Sequence, residues 1–262
     1  MHTINNPAGR LATILRKAKK YPKQNDVAKN VWPKILEVDP ADMPQLLSRL
    51  GKLMELLEII SDEIKLQQDI NHDIYLKWVP KVQAGFSVIN LNGGFSAFTN
   101  PIDEAALDGL DFCSDLLSRR IPEKVLDKDK LQNIYKDTEE LVKEIIASGT
   151  EKDLKTFMVN KLNEIIKAIQ EYQINGSSPI EKAIESTFGA LATKEGLYEG
   201  TKKTSKGDKF WNIMARVALV SGIALTSVQI GESVVNLLPD TSQEVIEAEI
   251  VEEVATNKEE SS

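Results

Sequence analysis

Apolar residues recur along most of this chain with the period of an amphipathic helix. Leu46, Leu50, Leu53, Leu57, Ile60 and Ile64 are spaced alternately four and three apart, the a/d pattern of a coiled-coil-like helix that packs along a seam, with Met43 one step before it. Asp39-Pro40 and Pro44 mark the start of this helix, because proline is tolerated in a first turn, while Lys52, Glu55, Glu58 and Lys65 fall on other faces. A second helix is predicted from about Asp129 to Ala147 on Leu131, Ile134, Leu141 and Ile145, with Gly149 as its C-cap. The third begins at once, with Thr150 as N-cap, and buries Leu154, Met158, Leu162, Ile165, Ile169 and Tyr172. A fourth, shorter helix follows Ser177-Ser178-Pro179 on Ile180, Ile184, Phe188 and Leu191. Short connections favour antiparallel neighbours, so Leu126 to Leu191 reads as a helical hairpin extended by one more helix.

The middle of the chain is less regular. Ala84 to Asn100 loses the helical period and carries Asn92-Gly93-Gly94 between short apolar runs, which fits a small hairpin or an ordered loop. Pro101 then precedes a helix from about Ile102 to Ser118, with Ala106, Leu107, Leu110, Phe112, Cys113 and Leu116 as its apolar positions.

Trp211 to Leu238 breaks the amphipathic pattern by being apolar nearly throughout. Its uncharged part, Val217 to Gly231, supplies about three quarters of the roughly 20 residues that a membrane-spanning helix needs. Lys202, Lys203, Lys206 and Lys209 precede it, so a span here would leave the N-terminal bulk in the cytoplasm, anchored at the inner face of the cell membrane. Ala218, Gly222 and Thr226 lie four apart, a stripe of small residues suited to close self-association of helices in lipid. The competing reading is a central core helix whose small positions accommodate crossing neighbours.

Composition sharpens this organisation. The 262 residues suffice for one large helical domain or two small ones. The net charge of -8 is concentrated, because Thr241 to Ser262 holds seven glutamates against Lys258, and so little apolar surface predicts a disordered acidic tail. The expected layout is therefore a helical domain over 1–192, a basic flexible linker over 193–208, the hydrophobic helix over 209–238 and the tail over 239–262. A single cysteine, Cys113, rules out an intrachain disulfide or cysteine-based zinc cluster and suits the cytoplasm, and the charged start of the chain is not expected to act as a classical secretory signal.

Motifs that carry chemistry are scarce. Gly93-Gly94 lacks the following Lys-Ser/Thr of a phosphate cradle, and His72, flanked by Asp69 and Asp73, has no dense ligand cluster around it. Asp103-Glu104, Asp127-Asp129 and Glu139-Glu140 read as solvated charge on helix faces rather than acid-base pairs. The cationic run with Arg10, Arg16, Lys17, Lys19, Lys20 and Lys23 shares a helix with an apolar stripe of Leu11, Ile14, Leu15 and Ala18. Such a helix suits either an anionic membrane surface, with Arg16, Lys17, Lys19 and Lys20 as contacts, or ordinary packing with a basic outer face. The near-neutral body shows no nucleic-acid footprint.

The sequence thus predicts an all-α bundle of long amphipathic helices with a C-terminal hydrophobic helix, no cofactor and no catalytic site. The functional expectation is a bacterial-type adaptor or effector that associates with membrane lipid or self-assembles through that helix. A wholly soluble interaction scaffold, with the helix buried and a helical protein as partner, is the alternative.

Overall fold

The computed structural model describes residues 6–193 and 196–223. Among these the backbone forms thirteen helices and no strand, so the chain is all-α. The acidic tail, Thr226 and the part of the apolar segment after residue 223 lie outside the described residues. The chain divides into two compact units, Met1–Val125 with Gln173–Gly176, and Leu126–Tyr172 with Ser177–Ser262.

The first unit contains α1 (Pro7–Lys20), α2 (Ala28–Leu36), α3 (Met43–Lys65), α4 (His72–Tyr75), α5 (Val79–Ser87), α6 (Ser96–Thr99) and α7 (Glu104–Arg120). Their starts follow capping chemistry. Asn6 accepts from the Gly9 amide, Asp42 from the Gln45 amide and Asp103 from the Ala106 amide, each at 2.9 Å, which satisfies first-turn donors that a helix leaves open. The a/d seam of α3 is buried along its whole length, from Leu46 to Ile64.

Ala84 to Asn100 is not a hairpin. Helix α5 runs to Ser87, and the following turn, closed locally by Gly93 donating to the Asn90 carbonyl at 2.9 Å, bonds onward to the segment leading into α2. Ala28 donates to the Gly93 carbonyl at 2.8 Å, Phe95 to Asp26 at 2.9 Å and Ser96 to Gln24 at 2.7 Å. The reason is aromatic: Trp32 meets Phe95 and Phe98 edge-on at 5.2 and 4.7 Å between ring centroids, and Phe98 meets Phe86 at 5.1 Å. Helix α7 also differs from its sequence pattern at one position, because Phe112 is 67% exposed and Leu117 is buried in the core instead.

Two buried cations tie irregular segments to this unit. Arg49 donates from Nη1 to the carbonyls of Leu36 and Glu37, the C-terminal end of α2, where the helix dipole favours positive charge. Arg10 donates from Nε to the Ile174 carbonyl at 2.8 Å and pairs with Glu123. Ile174 itself is fully buried in the core of this unit.

The second unit contains α8 (Lys128–Ala147) and α9 (Lys152–Gln170). Of the short α10 (Tyr172–Asn175) only Tyr172 belongs to it, and α11 (Ser178–Thr193), α12 (Leu197–Lys202) and α13 (Ser205–Ser221) complete it. The connection between α8 and α9 is capped differently from its sequence signature. Ser148 ends α8 in an extended conformation and Gly149 does not enter the left-handed region. Glu151, not Thr150, caps α9 by accepting from the amides of Asp153 and Leu154, both at 3.1 Å, while Thr150 bonds to the Ser148 hydroxyl.

Much of the stretch read as a basic linker is helical. Thr204 caps α13 by accepting from the Gly207 amide at 3.0 Å. A Cβ at residue 207 would stand 1.6 Å from the Thr201 carbonyl oxygen, so glycine here permits α12 and α13 to approach closely. Helix α13 packs on α8 and α11 and is a member of the bundle.

Candidate functional site

The apolar segment is the first candidate, and its described part is committed to packing. Phe210, Trp211, Met214, Ala215, Val217 and Ala218 are fully buried in the core of the second unit. The Trp211 indole donates to the Thr201 hydroxyl at 2.9 Å, and its ring lies 5.9 Å from that of Phe188. Helix α13 then stops. Gly222 adopts φ +67°, its amide bonds to Leu219 at 3.0 Å, and Ile223 bonds back to Ala218 at 3.1 Å, the paired closure of a glycine C-cap. Ala218 therefore faces its own unit, Gly222 is exposed at a helix end, and Thr226 is outside the described residues. Among the described residues no helix is long and apolar enough to cross a membrane.

The cationic helix α1 is the second candidate. Its apolar stripe, Leu11, Ile14, Leu15 and Ala18, is buried in the first unit's core, which leaves that face unable to lie on lipid. Arg16 forms a two-point ion pair with Asp111, and that bond raises the guanidinium pKa further. Lys17 stands 3.4 Å from Glu37, Lys19 donates to the Thr99 carbonyl at 3.3 Å, and Lys20 is exposed.

The residues with potential chemistry serve the backbone. His72 Nε2 bonds to the Gln67 carbonyl at 2.6 Å. Asp103 and Asp127 cap α7 and α8, and the Lys81 ammonium followed by the Ala106 amide holds the Asp103 carboxyl below its ordinary range. Burial pushes the Cys113 thiol up to about 11, so it stays protonated and unreactive at neutral pH. No group of three His, Cys, Asp or Glu side chains among the described residues is placed to hold a metal ion.

A groove between α3 and α5, with a volume of about 640 Å³, is one feature that packing leaves open among the described residues. Leu57 and Phe86 form its floor, Val79 and Met54 its apolar walls, and Glu55, Glu58 and Asp62 its rim. Ser61 and Ser87 also line it, but each hydroxyl already donates to a carbonyl of its own helix, Leu57 at 2.6 Å and Ala84 at 2.8 Å. Above the groove the outer face of α3 continues as Met43, Leu47, Gly51 and Met54, which share one helix face, and all four are exposed. A Cβ placed on Gly51 would meet nothing within 4 Å, so the helix backbone is open to approach there.

Sequence reasoning recognised the buried seam of α3 but not this second stripe. The signal was present, because Met43, Leu47 and Met54 repeat at helical spacing beside the seam. What periodicity could not supply was α5, whose Val79 and Phe86 close a groove against Met54 to Lys65 of α3, where the stripe ends. A larger furrow in the second unit, between α9 and α12, has among its lining groups Glu151, which caps α9, and Lys161, which pairs with Glu164 at 3.0 Å. Comparison with known protein families, with characterised proteins and with solved structures finds no match to this chain.

Proposed function

We propose that this protein is a non-catalytic helical interaction scaffold, with a helical protein as its partner. The observation that supports this reading is the burial of Phe210, Trp211, Val217 and Ala218 in the second unit, where they complete a core. Residues spent on packing are not available to lipid or to another copy without unfolding the unit. The groove between α3 and α5 gives the scaffold a surface that combines exposed apolar area with charge, the composition of recognition sites for amphipathic helices.

Fractionation of the full-length chain from expressing cells tests the reading. The scaffold is expected to leave the membrane fraction after high salt and alkaline carbonate. Full-length chain that resists both washes would overturn the proposal in favour of a membrane-anchored adaptor, with the insertion carried by residues beyond 223. A self-assembling protein would instead be washed free and elute as an oligomer in gel filtration, with Gly222→Leu shifting it to monomer.

A further inference from the structure

We infer that the groove between α3 and α5 receives a basic amphipathic helix from a partner protein, an inference that rests on the scaffold reading above. Three properties of the groove select this occupant.

The first is shape. Helix α5 is nine residues long and so about 13 Å, and the α3 side of the groove, Met54 to Lys65, spans about 16 Å at 1.5 Å per residue. A trough of that length matches two to three turns of an incoming helix, whose anchors recur at i, i+3, i+4 and i+7. Met54, exposed on the wall, suits such a ligand, because its unbranched side chain reshapes around different apolar anchors.

The second is polarity. The serines of the lining are satisfied within their own helices, and no set of polar groups converges on the floor as a small-molecule site requires. The floor is fit to bury side chains rather than to orient a polar ligand.

The third is charge. Glu55, Glu58 and Asp62 rim the groove against a single cation, Lys65, which already stands 3.3 Å from Asp62. Lysine or arginine on the outer edges of an incoming helix would meet these carboxylates, whereas acidic residues would be repelled. This disfavours the chain's own C-terminal stretch, in which the glutamates alternate with Val and Ile, and it disfavours a second copy of a protein with net charge -8. The apolar face of α1, the most basic helix, is already buried. The matching helix therefore comes from another protein.

Fluorescence anisotropy with the full-length chain tests this. Two labelled helical peptides of about 14 residues carry leucine at i, i+3, i+4 and i+7, with lysine at the remaining positions in one and glutamate in the other. The lysine peptide is expected to bind at least about tenfold more tightly at low salt, and the advantage should shrink as salt screens the rim. Glu55→Lys with Glu58→Lys should reverse the preference, and Met54→Asp should weaken binding of the lysine peptide. Glu185→Lys with Glu199→Lys makes the same change in net charge on the second unit and should leave the preference intact. Equal binding of the two peptides, or a control pair that shifts the preference as much as the rim pair, overturns the inference. The scaffold reading fails separately: carbonate-resistant chain that still distinguishes the peptides sinks that reading alone.

Discussion

The two units each bury an apolar core, by different means. In the second, long helices supply regular stripes, and the buried hydroxyls of Thr138, Thr187 and Ser221 bond to carbonyls one turn back in their own helices. Its ion pairs are peripheral: Glu144 with Lys206 and Lys209, and Asp137 with Arg216. In the first unit, helices as short as four residues are joined by turns, and Arg49 and Arg10 reach inward to hold carbonyls of segments that regular packing leaves unsatisfied. Long helices put more of their packing on periodic stripes, with a surface tether such as Lys155 to the Ile146 and Ser148 carbonyls at a helix end, while the short elements of the first unit are held by buried arginines. The irregular unit is also the one with the amphipathic groove, since short α5 covers only part of long α3.

This contrast is sharpest if each unit is attacked at its own kind of support. Trp211→Ala removes the largest fully buried side chain of the second unit and its bond to Thr201, and should cost about 3 to 5 kcal/mol. Urea unfolding followed by circular dichroism checks this. A loss below about 1 kcal/mol would mean that α13 is not a core member.

Arg49→Met tests the polar tethers. It keeps most of the side-chain volume but strips the α2 C-terminus of its buried donor, and should cost about 2 to 3 kcal/mol. Gln173 still donates to the Leu36 carbonyl at 2.7 Å, so the Glu37 carbonyl is the group left worse off. If the variant is as stable as the parent, the first unit is held by apolar contacts alone.

Glu144→Gln should have the smallest effect. Lys206, and after it Lys209, hold the Glu144 carboxyl below its ordinary value of 4.5. A depressed folded pKa gives stability that is present above the ordinary value and is lost as pH falls through the folded one. Melting temperatures of parent and variant should therefore differ slightly at neutral pH and converge only in acid, as pH falls through the lowered folded value. A gap that persists in acid would assign the effect to packing rather than charge.

What could be read in advance follows the same division. The stripes of α3, α8, α9 and α11 were visible because an amphipathic helix longer than three turns repeats its apolar face often enough to register. Ala84 to Asn100 was ambiguous because two short helices and a turn carry no sustained period, and its backbone partners lie some seventy residues earlier, at Gln24 to Ala28. The lysines and glycines of residues 193–208 resembled a linker by composition, yet Gly207 is there for close approach of two helices. Composition does not distinguish a glycine that loosens a chain from one that lets two backbones touch.

The sequence by itself determined the helical class, the buried faces of α3, α8 and α9 and the concentration of acid at the C-terminus, because these depend on local order along the chain. Tertiary structure decided that Phe210 to Ala218 complete a core, that the small residue Gly222 ends a helix, and that α3 has a second, open face beside α5. Each of those depends on which distant surfaces meet, since an apolar side chain is equally content against any dry neighbour and only the packed fold names the neighbour.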